Sequence, residues 1–321
     1  MASVTQTITS SGNPTVGQLK LRGHHAALEA ALPELETKGF TVVKGVISRD
    51  RAAQYVERMY KWLEGFGKGF KADDRSTWHI DQMPTFNRGG LFHRFGVAHE
   101  QFAWDIRSEP AVIDVFANIW GTEELLVSFG EFHQRQEDVR QIEPYDPTDS
   151  GIMNLEENGP DDGGLMVLSG SMLLYAQFFE EHEADAPEGG WSWCDSYHFT
   201  NPAHLQWFYD RGCKWVKMEA EPGDVILWDS RCIHYGAAAR GDRARVATYV
   251  CYKPAAGIEP AMLEKRKKAF EECMGTSHDP LLFRFTGSKA TGPATPDERM
   301  EPLVKPVLSD RAKQLVGILA Y

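Results

Sequence analysis

The chain has 321 residues, 42% of them hydrophobic and 25% charged, proportions that exclude collagen-like, coiled-coil and disordered proteins. Its 46 acidic against 34 basic residues leave a formal net charge of −12, so the surface repels phosphate backbones and no nucleic-acid partner is expected. No run approaches the ~18 apolar residues of a membrane span, and residues 1–16 are polar with no basic region before an apolar one, so no membrane partner and a cytoplasmic location are expected.

The five cysteines are odd in number and contain no C-x-x-C pair, which argues for reduced thiols over a disulfide framework or a zinc ribbon. Residues 1–20, rich in Ser, Thr and Gly, read as the start of a loose arm drawn to residue 36. A β-branched run at 39–47 predicts the first strand, and Ser48 is placed to cap a helix whose face is Ala52, Val56, Met59, Tyr60 and Leu63 and which stops near Gly65. Residues 66–100 have no sustained period and read as a long ordered loop. A second helix follows, with Ser108 as cap, Pro110 in the first turn, Val112, Val115, Phe116 and Ile119 on one face, and Gly121 at its end.

A buried strand is expected at 125–129. The interval 130–150 holds only Phe132, Val139, Ile142 and Tyr145 as large apolar residues, too few to bury a strand, and is expected to be a surface excursion. Strand signals return at 151–155, 164–168, 214–220, 225–228 and 245–252, separated by turns at 158–164 and 221–224. Short strands at this spacing suggest a sandwich or barrel. The tail reads as a charged helix from Pro260 to about Cys273, a loop with Pro280 and Pro293, and a short helix near 310–319.

One stretch carries a recognisable chemistry: a Pro222-Gly223 turn feeds a strand, the strand leads to His234, and the next strand opens on Arg245. Imidazole is a ligand for transition metals, and a planar guanidinium binds a carboxylate through two parallel charge-assisted bonds. Residues 39–47, 104–110, 158–168, 189–193, 222–236 and 245–254 together resemble the phytanoyl-CoA dioxygenase family, especially its fungal members. The resemblance implies a mainly-β double-stranded β-helix, a cupin-like jelly-roll, with flanking helices over 37–255, and a helical extension at 256–321 packed on the same domain. It further implies Fe(II) and 2-oxoglutarate as cofactors, with His234 as the distal iron ligand and Arg245 as the 2-oxoglutarate arginine. The reaction implied is hydroxylation or desaturation of a small, largely apolar metabolite, in keeping with fungal secondary metabolism.

In the family a proximal His-x-Asp pair falls between the strands expected at 125–129 and 151–155. This chain has His133 there but no Asp two residues on. Its single His-x-Asp is His79-Ile80-Asp81, which reads either as a substrate-loop or structural motif or as the pair that completes the iron site by folding over from the earlier loop. His133 with Glu137 or Asp138 is the second substitute. Without a carboxylate two neutral imidazoles leave Fe(II) with uncompensated charge, so three readings stay open: an iron enzyme, a metal-free relative that binds a metabolite or a partner subunit or performs a non-redox isomerisation or cyclisation, and a splicing or gene-model variant that has lost the iron strand. The aromatic group Trp191, Trp193, Tyr197, Phe199, Trp207 and Phe208 reads either as a pocket wall or as core packing. A homodimer and a heterodimer are both compatible with the sequence.

Overall fold

The computed structural model describes residues 26–321 without 87–89, 131, 134–140, 143–148, 187–196 and 297. At its centre two antiparallel sheets lie face to face. The larger has the order β1 (Phe40–Val43), β10 (Val225–Asp229), β6 (Asp149–Asn154), β12 (Ala247–Tyr249), β4 (Phe132–His133) and β2 (Leu91–Phe92). The smaller has the order β8 (Tyr197–His198), β5 (Gln141–Ile142), β11 (His234–Ala237), β7 (Gly164–Ser169) and β9 (Lys214–Lys217). Two further pairs complete the strands, β3 (Leu125–Val127) with β13 (Tyr252–Pro254) and β14 (Gly275–Thr276) with β15 (Phe285–Thr286).

The period of two along each strand sorts side chains into layers. Ile226 and Trp228 of β10 join Ile152, Leu165, Val167, Ala247 and Tyr249 in the apolar layer between the sheets. Val225 and Leu227 point the other way, into a core shared with the helices α1 (Ala26–Lys38), α2 (Arg49–Glu64), α3 (Gln101–Arg107), α4 (Pro110–Trp120), α7 (Pro260–Glu271) and α9 (Asp310–Val316). Because both faces of β10 are covered, its sequence is a continuous apolar run. On the outer face of the smaller sheet, Leu168 and Ile233 pack with α5 (Ser171–Glu181) and α6 (Pro202–Tyr209) in a third cluster.

Local signals explain several boundaries. Ser48 Oγ accepts from Arg51 N at 3.1 Å and starts α2, and Gly121, with φ of 67°, ends α4. Ser108 closes α3 instead of capping α4, whose N-cap is Glu109. The tail is tied in by Arg266 of α7, which is fully buried and donates to the carbonyls of Val316 at 2.7 Å, Leu315 at 2.9 Å, Pro280 at 3.3 Å and Val127. Cys213, Cys232, Cys251 and Cys273 are buried free thiols, and Cys194 lies outside the described residues. Among the described residues no helix is long and apolar enough to cross a membrane.

Three expectations are corrected. A mainly-β description is too narrow, since more of the described chain is helical than extended. The arm drawn to residue 36 ends earlier, because α1 buries Leu28, Ala31, Leu32 and Leu35 against the helical core. Of the interval 130–150, expected to be a surface excursion, the described parts β4 and β5 join the sheets, β4 between β12 and β2 and β5 between β8 and β11, while 131, 134–140 and 143–148 lie outside the described residues. Two-residue strands pair through their backbones and need no long apolar alternation.

Candidate active site between the sheets

Strand parity brings His234 and Arg245 to the same layer. His234 opens β11, shares the parity of Cys232 in the intersheet core, and pairs in register with Val167 on one side and Gln141 on the other. Arg245 precedes β12 and shares the parity of Ala247 and Tyr249, whereas Val246 faces the helices. Both are buried, with 6% and 3% of their surface exposed.

His234 Nδ1 lies 2.9 Å from the carbonyl of Cys232, which can only accept, so Nδ1 carries the proton and the lone pair sits on Nε2. Burial holds the imidazole down at about 4, hence neutral at physiological pH. This is the tautomer and charge state of a metal-ligating histidine. The indole of Trp228 stands 5.5 Å from it, ring to ring.

Arg245 is unlike the other buried arginines. Arg107 donates to backbone carbonyls through Nη1 and Nη2 and Arg266 through all three nitrogens, but Nε, Nη1 and Nη2 of Arg245 have no hydrogen-bond partner among the described residues. Burial pulls its pKa below the usual value. Asn158 Nδ2 is likewise buried and unpartnered, while Asn158 Oδ1 accepts from Lys217 Nζ at 2.8 Å, which fixes the amide. Lys217 is itself depressed to about 8, by burial first and by the Arg245 charge second. The nearby Asp162 carboxylate is taken by the Gly159 N–H at 2.7 Å and by Arg243 at 3.5 Å. The result is a buried set of idle donors carrying positive charge, the complement of a carboxylate.

Gly164 makes room for this group. Its φ is +95°, and a methyl there would lie 2.7 Å from Arg245 Nε and 3.1 Å from Asn158 Nδ2. Gly164→Ala is expected to lower unfolding stability by about 2 kcal/mol or more through the disfavoured backbone and the clash, and to weaken carboxylate binding as the guanidinium is pushed aside. Thermal unfolding and calorimetric titration with 2-oxoglutarate check this. Lost stability with unchanged affinity would separate Gly164 from the site.

His79 and Asp81 stand on an exposed turn. His79 and Asp81 flank a 3₁₀ turn at Ile80–Gln82, with 67% and 85% of their side chains exposed, and pair with each other at 3.2 Å. The adjacent Trp78 packs on the helical core against Tyr60, and the structure does not bring this turn to His234. His133 lies in β4 opposite Ala247, and Glu137 and Asp138 are outside the described residues. Tyr197, Phe199, Trp207 and Phe208 surround Phe178 in the outer cluster, which makes them packing and not a pocket wall; Trp191 and Trp193 are outside the described residues. Among the described residues, the one group of three or more potential metal ligands is His182, Asp185 and His204 beside that cluster, where His204 is spent on Asp185 and Tyr197.

A residue that sequence reasoning missed does reach the layer. His278, in the extension, lies ring to ring 4.6 Å from Tyr249, and the neighbouring His234 acts on it electrostatically. No spacing rule links position 278 to 234 or 245.

Two antiparallel sheets thus enclose a strand-end histidine and a buried arginine. The chain belongs to the phytanoyl-CoA dioxygenase (PhyH) family, whose model matches residues 35–247. It is 35% identical over 262 residues, 77% of this chain and 84% of the other, to Ava biosynthesis cluster protein O of Aspergillus versicolor. Its fold is similar to that of the epimerase SnoN in complex with Fe3+, alpha ketoglutarate and nogalamycin RO, with TM-score 0.50, 18% identity, and coverage of 86% of this chain and 98% of that one. EctD from S. alaskensis with bound Fe aligns with TM-score 0.49 and 18% identity over 73% of this chain and 78% of that one.

Proposed function

We propose that this protein is an Fe(II)- and 2-oxoglutarate-dependent enzyme that oxidises a small, largely apolar metabolite by hydroxylation or desaturation, in a fungal biosynthetic pathway of the kind to which its Aspergillus relative's name refers. The observation that carries the reading is the buried, unpartnered guanidinium of Arg245 in the same layer as the Nε2 lone pair of His234.

Arg245 would hold the distal carboxylate of 2-oxoglutarate through its idle N–H donors, and the amide of Asn158, held by Lys217, would add a further donor. His234 would hold the iron through Nε2. Iron and 2-oxoglutarate, when bound there, would supply the oxidising power, with O2 as oxidant, for hydroxylation or desaturation. Trp228, Tyr249, Ile152, Leu165 and Val167 make the layer around the two residues apolar, which excludes water from it.

The test is succinate formation by protein loaded anaerobically with Fe(II), then given 2-oxoglutarate and O2 without substrate. Slow succinate release that is lost in His234→Ala supports the reading. No succinate at any iron loading would instead favour the metal-free isomerase, cyclase or binding-subunit reading.

A further inference from the structure

The extension beyond the family match contributes one imidazole to the intersheet layer. His278 lies in the link between β14 and β15, outside residues 35–247. Its ring is 4.6 Å from that of Tyr249; Tyr249 is 6.4 Å from Trp228, and Trp228 is 5.5 Å from His234. A chain of ring contacts through Tyr249 and Trp228 therefore links the two imidazoles across the layer.

The link is held at both ends. Thr276 N donates to Phe129 O at 3.1 Å and Thr276 Oγ1 accepts from Phe129 N at 2.9 Å, next to β3. Asp279 accepts from Lys253 Nζ of β13 at 2.7 Å and from the N–H of Leu281 at 2.7 Å. A histidine between two such anchors is positioned by the fold. Nevertheless its Nδ1 is enclosed and has no hydrogen-bond partner among the described residues, an unfavourable state that a bound ligand relieves.

We propose that His278 is the second imidazole of the His234 centre and binds the same divalent transition metal, so that the C-terminal extension supplies a ligand the family takes from its proximal pair. The proposal rests on the iron reading above and adds to it the identity of one ligand. It does not supply the carboxylate.

Cobalt(II) serves as a spectroscopic probe, with chelator competition giving affinity and the visible absorption reporting ligation. Wild type is expected to bind one Co(II) per chain. His278→Ala should weaken binding by about tenfold or more and change the visible band, and added imidazole should restore the band. His79→Ala, at the exposed turn, should leave both unchanged. Should His278→Ala fail to fold, pulsed electron paramagnetic resonance of wild type loaded with Cu(II), with and without 15N-histidine, counts the coordinated imidazoles directly. At least two supports the proposal and a single one overturns it. Cobalt held through His234 with no response to His278→Ala would overturn this proposal alone, whereas a wild type that binds no better than His234→Ala would overturn the iron reading with it.

Discussion

Arg245→Met should reduce 2-oxoglutarate affinity by at least about 100-fold, roughly 3 kcal/mol, while leaving the thermal midpoint unchanged or higher. The two effects have one cause. A guanidinium buried to 3% exposure without a hydrogen-bond partner is costly to the folded chain and is recovered only when an anion arrives. Methionine fills similar volume without the charge, so the fold gains what the ligand loses. Most stabilising arginines behave the opposite way: Arg266→Met would abandon four carbonyls and destabilise. Calorimetry with 2-oxoglutarate beside thermal unfolding of the same variant reads both signs. A less stable variant that still binds 2-oxoglutarate would show Arg245 to be structural.

Acid should unfold this protein over a window set by histidines. His99, His234 and His278 are depressed to about 3, 4 and 4, chiefly by burial. Above about pH 6.5 both folded and unfolded states leave them neutral, and they contribute nothing to pH dependence. As the pH falls from there toward 4 the unfolded chain takes up protons that the folded one refuses, so stability is lost throughout that interval. Each group costs on the order of 3 kcal/mol by its lower limit, against a total of about 5–15 kcal/mol for a typical domain. Glu100 and Glu156, raised by burial, take protons first in the folded state and offset part of the loss. Urea midpoints between pH 7 and 4.5 measure the slope. His99→Phe, within the cluster of Trp104, Phe129 and Phe270, should flatten it; a wild-type midpoint that stays level from pH 7 to 5 would contradict the account.

Much of this architecture is legible in the sequence where a local rule governs. Ser48 caps α2 as its position predicts, and β7, β9 and β10 stand where their β-branched runs are. Helix α1 escapes because Pro33 interrupts a stripe of Leu28, Leu32 and Leu35 that is otherwise short. Strands β4 and β5 escape because polarity is a statement about side chains, while their pairing with β12 and β11 is a statement about backbone. The same divide applies to the site. His234 and Arg245 are legible because a strand-turn-strand unit carries both. His278 enters through tertiary packing of the extension, and the His79 turn, attractive by motif, stands exposed beside Trp78, which packs on the helical core.

The most direct test is anaerobic equilibrium dialysis of the full chain against Fe(II) and 2-oxoglutarate together. Wild type should retain one of each per chain; His234→Ala should lose the iron, and Arg245→Met should keep iron while losing 2-oxoglutarate. Retention of neither ligand by wild type above the level of His234→Ala would contradict a 2-oxoglutarate-dependent centre between these sheets.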